Sequence, residues 1–213
     1  MQMPEIVHVI DDDEGVREGL CALLEAKKFM AQPHVSCDEF LNRFSAETTL
    51  CIVADLRMPG MGGLDLQAHL LENAVDLPFI VITGHGDVSS AVRALKSGAA
   101  DFIEKPIDGK LFIAAIEKAI VARLAVKTQL EATSLAQEKV SALTPRERDV
   151  LCYLVEGNPN KIIAHQLNIS SRTVENHRAR LMVKMQADSV AELVRMALAA
   201  GISARGDNQS HGK

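Results

Sequence analysis

The chain has 213 residues, 47% of them apolar, which is enough for two ordinary globular domains and excludes a chain that is disordered throughout. Its net charge of −5 is unevenly spread, since residues 1–123 carry a net −8 and residues 124–213 a net +3, so a polyanionic partner is expected only for the second part. The start lacks the basic region of a signal peptide and no apolar run approaches the roughly 20 residues that cross a bilayer, so we expect a cytoplasmic protein without a membrane partner.

Strands and helices are predicted to alternate in the first part of the chain. Apolar runs typical of buried strands lie at residues 6–10, 50–54, 79–83 and 102–103, with a weaker one at 30–35. Helical patterns lie between them at residues 16–26, 38–44, 64–71 and 88–97. The alternation predicts a flavodoxin-like α/β domain, a parallel sheet in the order 2-1-3-4-5 with helices on both faces.

The second part is predicted to be all-helical. Residues 111 to about 135 contain no glycine or proline and predict one long helix that leaves the first domain. A capping box at Thr144 to Glu147 starts the next helix, and three more are predicted at 161–167, 171–185 and 190–199. We therefore expect an α/β domain at 4–122, a helical linker at 123–140, an all-α domain at 141–205 and a flexible tail at 206–213.

Polar residues follow the predicted strands where parallel strands end together. Asp11 and Asp12 follow the first strand, Asp55 ends the third, Thr83 ends the fourth, and Lys105 follows the fifth. Crowded carboxylates repel one another unless a cation compensates, and oxygen ligands suit Mg²⁺. A carboxylate beside a metal, a lysine and a hydroxyl predicts phosphoryl transfer through an acyl phosphate.

These residues resemble a known signature. Asp11-Asp12, Asp55 with Met58-Pro59-Gly60, Thr83-Gly84 and Lys105-Pro106 are similar to the receiver domain of two-component response regulators. The resemblance implies that a sensor histidine kinase phosphorylates Asp55. It further implies Mg²⁺ held by Asp12, Asp55 and the backbone carbonyl of Arg57, with Asp11 contributing through water. Phosphoryl contacts from Lys105 and Thr83, and a switch formed by Thr83 and Phe102, are implied as well.

The predicted helix at 171–185 has one apolar and one polar face. Val174, Leu181 and Met185 share the packing side, whereas arginines and an asparagine spread over the other, which suits a helix in a DNA major groove. The motifs at 143–148, 160–164 and 172–178 resemble the LuxR/GerE-type helix-turn-helix of the NarL/FixJ regulators, and the runs at 83–87 and 184–187 are most similar to FixJ-like ones. The resemblance implies contacts with double-stranded promoter DNA from these residues: Lys161, Ser171, Arg172, Thr173, Asn176, His177, Arg178, Arg180 and Lys184.

Together these patterns predict a phosphorylation-switched transcriptional regulator, expected to activate, that is no enzyme beyond its own phosphotransfer and dephosphorylation. It is expected to form a homodimer when phosphorylated and to engage RNA polymerase. One alternative is an aspartyl-phosphate phosphatase, although that chemistry usually places a second carboxylate where this chain has Arg57. The other is a phosphorelay or protein-binding output module that does not touch DNA.

Overall fold

The computed structural model describes residues 6–84 and 88–202, with the side chains of 88–91 left aside. The chain divides into two compact units, Met1–Ala125 and Val126–Lys213. The expected tail at 206–213 and residues 85–87 of the FixJ-like run lie outside the described residues. Among the described residues no helix is both long and apolar enough to span a membrane.

The first unit is built on a five-stranded sheet. All pairings are parallel and the strand order is β2-β1-β3-β4-β5, which confirms the predicted topology. The strands are β1 Ile6–Ile10, β2 Met30–His34, β3 Thr49–Asp55, β4 Phe79–Thr83 and β5 Asp101–Glu104. Since all run in one direction, their carboxyl ends meet at one edge.

Helices cover both faces of the sheet. They are α1 Glu14–Ala26, α2 Cys37–Arg43, α3 Gly63–Glu72, α4 Val88–Lys96 and the long α5 Gly109–Ser141. Alternate residues of β3 enter opposite cores: Ile52 faces the one that contains Phe40 and Leu66, and Val53 faces the one that contains Phe112. Two buried faces explain why the central strands are almost wholly apolar.

The second unit is a small helical bundle. Its helices are α6 Pro145–Val155, α7 Asn160–Leu167, α8 Ser171–Met185 and α9 Val190–Ala199. The predicted capping box is present, because Thr144 Oγ1 accepts from the Glu147 N–H and Glu147 Oε2 accepts from the Thr144 N–H. Val174, Leu181 and Met185 are fully buried, which confirms the packing face of α8.

The helix α5 is longer at both ends than the sequence pattern indicated. It begins at Gly109 rather than near residue 111 and ends at Ser141 rather than near 135. Its early residues Phe112 and Ile116 belong to the core of the first unit, whereas Val140 belongs to the core of the second and Ala136 is buried as well. Residues before 141 therefore contribute to the helical unit.

Candidate functional site

Asp55 ends β3 at the polar edge of the sheet and is only 6% exposed. Its Oδ2 accepts a hydrogen bond of 3.0 Å from the Arg57 N–H. The chain then turns into α3 so tightly that a Cβ on Gly63 would lie 2.5 Å from the Asp55 carbonyl oxygen. Because only glycine fits there, Gly63 fixes the distance between α3 and the carboxylate.

Lys105 bridges two carboxylates. Its Nζ lies 3.0 Å from Asp55 Oδ1 and 2.7 Å from Asp11 Oδ2, and it donates a hydrogen bond to Asp11. The contact with Asp55 is an ion pair alone, since Asp55 Oδ1 is buried without a hydrogen-bond partner among the residues described. The structure thus brings together the predicted phosphoacceptor Asp55, Lys105 and Asp11.

The β1–α1 loop is held by its own hydrogen bonds. Asp11 Oδ1 accepts from the Asp13 N–H at 3.0 Å, and Asp13 caps α1 by accepting from the Val16 N–H at 3.1 Å. Arg17 Nη1 donates to the Asp11 carbonyl at 2.7 Å. Asp12 is exposed, so the loop presents one buried and one open carboxylate to the same edge.

The electrostatics of the pocket follow from this packing. Burial raises the pKa of Asp11 above its ordinary value, although Lys105 acts in the opposite direction. Burial acts to lower the pKa of Lys105, but the neighbouring carboxylates of Asp11 and Asp55 outweigh it, so that pKa is raised. Lys105 is therefore a permanent cation whose charge is shared by two acids.

Thr83 and Phe102 lie on the neighbouring strands. Thr83 is 2% exposed at the end of β4, and its carbonyl accepts from the Lys105 N–H at 2.7 Å. Phe102 is half-buried in β5, opposite Val81 of β4. The hydroxyl and the ring therefore belong to adjacent strands whose ends reach the acidic pocket.

The donor set of the pocket suits a hard cation that keeps water. In the described part of the chain no three His, Cys, Asp or Glu side chains are grouped to hold a metal by themselves. Mg²⁺ needs fewer, since it usually binds through one or two carboxylates and retains several waters. The buried Asp55 Oδ1 without a hydrogen-bond partner is an oxygen that a cation or a phosphoryl group would satisfy, so the residues fit this ion.

The polar face of α8 carries most of the residues expected to contact DNA. Ser171, Arg172, Asn176 and Arg180 are exposed, and so is Lys161 on α7. Thr173 is half-buried, and its hydroxyl lies 2.8 Å from Ser170 Oγ in the N-terminal cap of α8. His177 is also half-buried, with a buried Nδ1 that has no partner among the described groups.

Two of the predicted DNA-binding cations are engaged inside the helical unit. Lys184 Nζ lies 2.7 Å from Glu147 Oε2, a carboxylate in a residue that is 2% exposed, and 3.4 Å from the Ala142 carbonyl. The hydrogen bond from Lys184 is the main cause that lowers the pKa of Glu147 to about 2. Arg178 Nη1 donates to Asn160 Oδ1 at 2.5 Å. Lys184 is thus the counter-ion of a buried carboxylate, whereas the partner of Arg178 is a neutral amide that does not offset its charge.

Comparison with known families agrees with both halves of this geometry. Residues 7–117 match the response regulator receiver domain, and residues 141–197 match the bacterial regulatory proteins of the luxR family. The chain belongs to the response regulators. It combines a phosphoacceptor-type receiver domain with a LuxR-type helix-turn-helix domain. This combination implies a sensor kinase and DNA as partners, and it makes this response regulator a transcriptional regulator.

Full-length relatives share this two-domain organisation. The response regulator is 47% identical over 207 residues to the transcriptional regulatory protein FixJ of Azorhizobium caulinodans, covering 96% of this chain and 98% of that protein. It is 45% identical to FixJ of Rhizobium meliloti over 92% of this chain and 96% of that protein. The crystal structure of full-length FixJ from B. japonicum shares 40% identity with a TM-score of 0.59, covering 93% and 98% of the two chains. The response regulator StyR shares 36% identity with a TM-score of 0.74, covering 92% and 98%.

Some residues that build the site carry no sequence signal of their own. Arg17 holds the Asp11 carbonyl from six residues away, and Asn160 reaches an arginine 18 residues later. Glu147 is recognisable as a capping-box residue, but its ion pair with Lys184 depends on the packing of α6 against α8. Local sequence patterns predict none of these contacts, because each one joins residues from separate parts of the fold.

Proposed function

We propose that Asp55 accepts a phosphoryl group from a sensor histidine kinase and that this modification switches the DNA-binding activity of the chain. The observation that carries the proposal is the buried Asp55 Oδ1, 3.0 Å from Lys105 Nζ and without a hydrogen-bond partner among the described residues. In the transfer, the carboxylate oxygen bonds to phosphorus while the P–N bond of a phosphohistidine breaks and its electron pair stays on the imidazole. Lys105 then pairs with the phosphoryl oxygens.

Receiver domains normally bind Mg²⁺ at their acidic site, and the residues here would hold it through Asp11, Asp12, Asp55 and the Arg57 carbonyl. When bound, Mg²⁺ supplies positive charge that offsets the charge of the transferred phosphoryl group. Asp11 is already oriented for this role by the Asp13 N–H and by Lys105. Arg17 fixes the same loop through the Asp11 carbonyl.

The switch is proposed to start at Thr83. A phosphoryl group on Asp55 attracts the Thr83 hydroxyl, and Phe102 on the adjacent strand turns inward. That movement reshapes the face formed by residues 87–105, which then mediates homodimerisation. Residue 87 of this face lies outside the described part of the chain. Two helical units then bind paired half-sites, about one helical turn of ~34 Å apart.

The output is proposed to be activation of transcription through RNA polymerase in the cytoplasm. The DNA contacts come from the polar face of α8 and from Lys161, with the exposed Arg172 and Arg180 pairing with phosphates. The relatives give no support to the phosphatase or to the DNA-free output module.

The test combines phosphorylation with DNA binding. The full chain is incubated with acetyl phosphate and Mg²⁺, and phosphoprotein, oligomeric state and binding to a pool of promoter duplexes are measured. We expect a phosphorylated dimer that binds DNA more tightly than the untreated chain, and an Asp55→Asn variant that does neither. Sustained release of phosphate from a generic phosphate monoester, or equal DNA binding by the treated and the untreated chain, would contradict the proposal.

A further inference from the structure

A hydrogen bond between the two helices of the helix-turn-helix sets one arginine apart from the others. Arg178 lies in the middle of α8, and its Nη1 donates to the side-chain oxygen of Asn160, the first residue of α7. The donor and acceptor are 2.5 Å apart and both residues are half-buried. A side chain with four rotatable bonds is thereby held in one direction.

The chemistry of the acceptor distinguishes this contact from an ordinary ion pair. An amide oxygen orders a guanidinium but leaves its positive charge intact, and four of its five N–H groups remain as donors. The first turn of α7 contains no acidic residue that could neutralise it. Lys184 shows the opposite case, because its ammonium is paired with the carboxylate of Glu147.

An arginine that is ordered and has no ion pair among the described residues is suited to an anionic ligand. Ordering a flexible side chain before binding removes an entropic cost that would otherwise weaken the complex. Exposed Lys161 follows Asn160 directly, so a second cation lies beside the first turn of α7. We infer that Asn160 is a positioning residue that holds the guanidinium of Arg178 for one backbone phosphate of the DNA. This inference rests on the proposed DNA binding and specifies one of its contacts.

The experiment is a double-mutant cycle in the full chain. Wild type, Asn160→Ala, Arg178→Ala and the double variant are phosphorylated with acetyl phosphate and titrated with the duplex that wild type selects from a random 30-base-pair pool. Each titration is repeated over a series of salt concentrations. Asn158→Ala is the matched control. Asn158 stands two residues before Asn160, and its side chain donates a hydrogen bond to Glu156 instead of accepting one from an arginine.

We expect Asn160→Ala to weaken binding by about three- to tenfold in the wild-type background and to have no effect once Arg178 is alanine. Arg178→Ala should reduce the salt slope by about one. Asn160→Asp keeps the acceptor but cancels the charge, so its slope should fall as it does in Arg178→Ala. Asn158→Ala should behave as wild type.

Two results would overturn the inference. If the effects of Asn160→Ala and Arg178→Ala multiply, Asn160 does not act through Arg178. If Asn160→Ala lowers the unfolding midpoint of the helical unit and leaves DNA affinity unchanged, the bond only joins α7 to α8. A failure of the proposed function is distinct, because wild type itself would then bind no duplex from the pool.

Discussion

Lys105 Nζ lies 3.0 Å from Asp55 Oδ1, so the predicted phosphoacceptor is paired with a cation before any phosphoryl group arrives. The same ammonium lies 2.7 Å from Asp11 Oδ2. A charge placed in advance stabilises the developing negative charge of a transferred phosphoryl group without reorganisation.

Replacing Lys105 should therefore impair chemistry more than metal binding. We expect Lys105→Met to slow phosphorylation by acetyl phosphate about 100-fold, the scale of losing one preorganised electrostatic group. Mg²⁺ affinity should be retained, because the carboxylates and the Arg57 carbonyl remain. A gel that retards phosphoproteins measures the rate, and calorimetric titration measures the Mg²⁺ affinity. Unchanged phosphorylation would show that the ion pair is structural only.

Lys184 should prove to be a stability residue of the helical unit. Lys184→Met leaves the buried Glu147 carboxylate without its cation and should lower the free energy of unfolding by about 2 kcal/mol. Fluorescence of Tyr153, the single tyrosine in a chain without tryptophan, follows this unit because Tyr153 packs against its core. Lys161→Met, which changes an exposed lysine, is the control.

The same pair has a defined pH dependence. The hydrogen bond from Lys184, and after it that from the Thr144 N–H, lowers the pKa of Glu147 to about 2. The stability that the Glu147 carboxylate contributes is therefore complete above the ordinary pKa of 4.5 and is lost as pH falls towards 2. The difference between wild type and Lys184→Met should therefore shrink at pH 3. Weaker DNA binding by Lys184→Met at unchanged stability would instead favour a direct DNA contact.

The exposed arginines of α8 should contribute to DNA binding and not to stability, which is the reverse of what we expect for Lys184. We expect Arg172→Ala and Arg180→Ala each to reduce the slope of log affinity against log salt by about one, with stability changes within about 0.5 kcal/mol. Titrations of a promoter duplex at several salt concentrations measure the slope. Arg195→Ala on α9 is a control of equal charge. Equal slopes for all variants would remove α8 from the DNA interface.

The topology and the acidic pocket were predictable because strand patterns are local. The central strands β3 and β4 are nearly continuous apolar runs, and each ends in a polar residue of the predicted site, Asp55 and Thr83. Once the strands are parallel, their ends must share one edge, so the positions of Asp11 and Lys105 follow as well.

The contacts between elements were not predictable in this way. Lys184 looks like one more cation on a basic helix, and only the packing of α6 against α8 brings it to Glu147, 37 residues earlier. The end of α5 was also misplaced, because the helix continues to Ser141 and buries Val140 in the core of the second unit. Tertiary burial extends a helix that local propensity alone would end sooner.

His8 of β1 and His34 of β2 are linked by a buried hydrogen bond, and Thr49 and Ser45 extend this hydrogen-bond network. The Ser45 carbonyl can only accept, so Thr49 Oγ1 donates to it at 2.7 Å and accepts from His8 Nε2 at 3.1 Å. When the His8 ring is neutral, its Nδ1 accepts from His34 Nε2 at 2.9 Å. His34 Nδ1 is then a buried acceptor without a hydrogen-bond partner among the described residues.

These two buried histidines should make the first unit less stable at acidic pH. Burial, and then the charge of His34, lowers the pKa of His8 to about 4, while burial also lowers the pKa of His34 despite nearby Glu39. A lowered histidine pKa means that the unfolded chain binds more protons between pH 6.5 and 4, so stability is complete above 6.5 and falls below it. From pH 7 to pH 5, His8 alone should cost about 2 kcal/mol.

Two measurements on the full chain check this dependence. Nuclear magnetic resonance titration should show the His8 ring neutral down to pH 5, and hydrogen exchange of the β1 amides, corrected for intrinsic rates, should show the loss of stability. His8→Phe removes the titrating group, so the exchange-derived stability of that variant should change less between pH 7 and pH 5. A His8 resonance that titrates near pH 6.5 would refute the lowered pKa, since such a ring gains its proton as easily in the folded unit as in the unfolded chain.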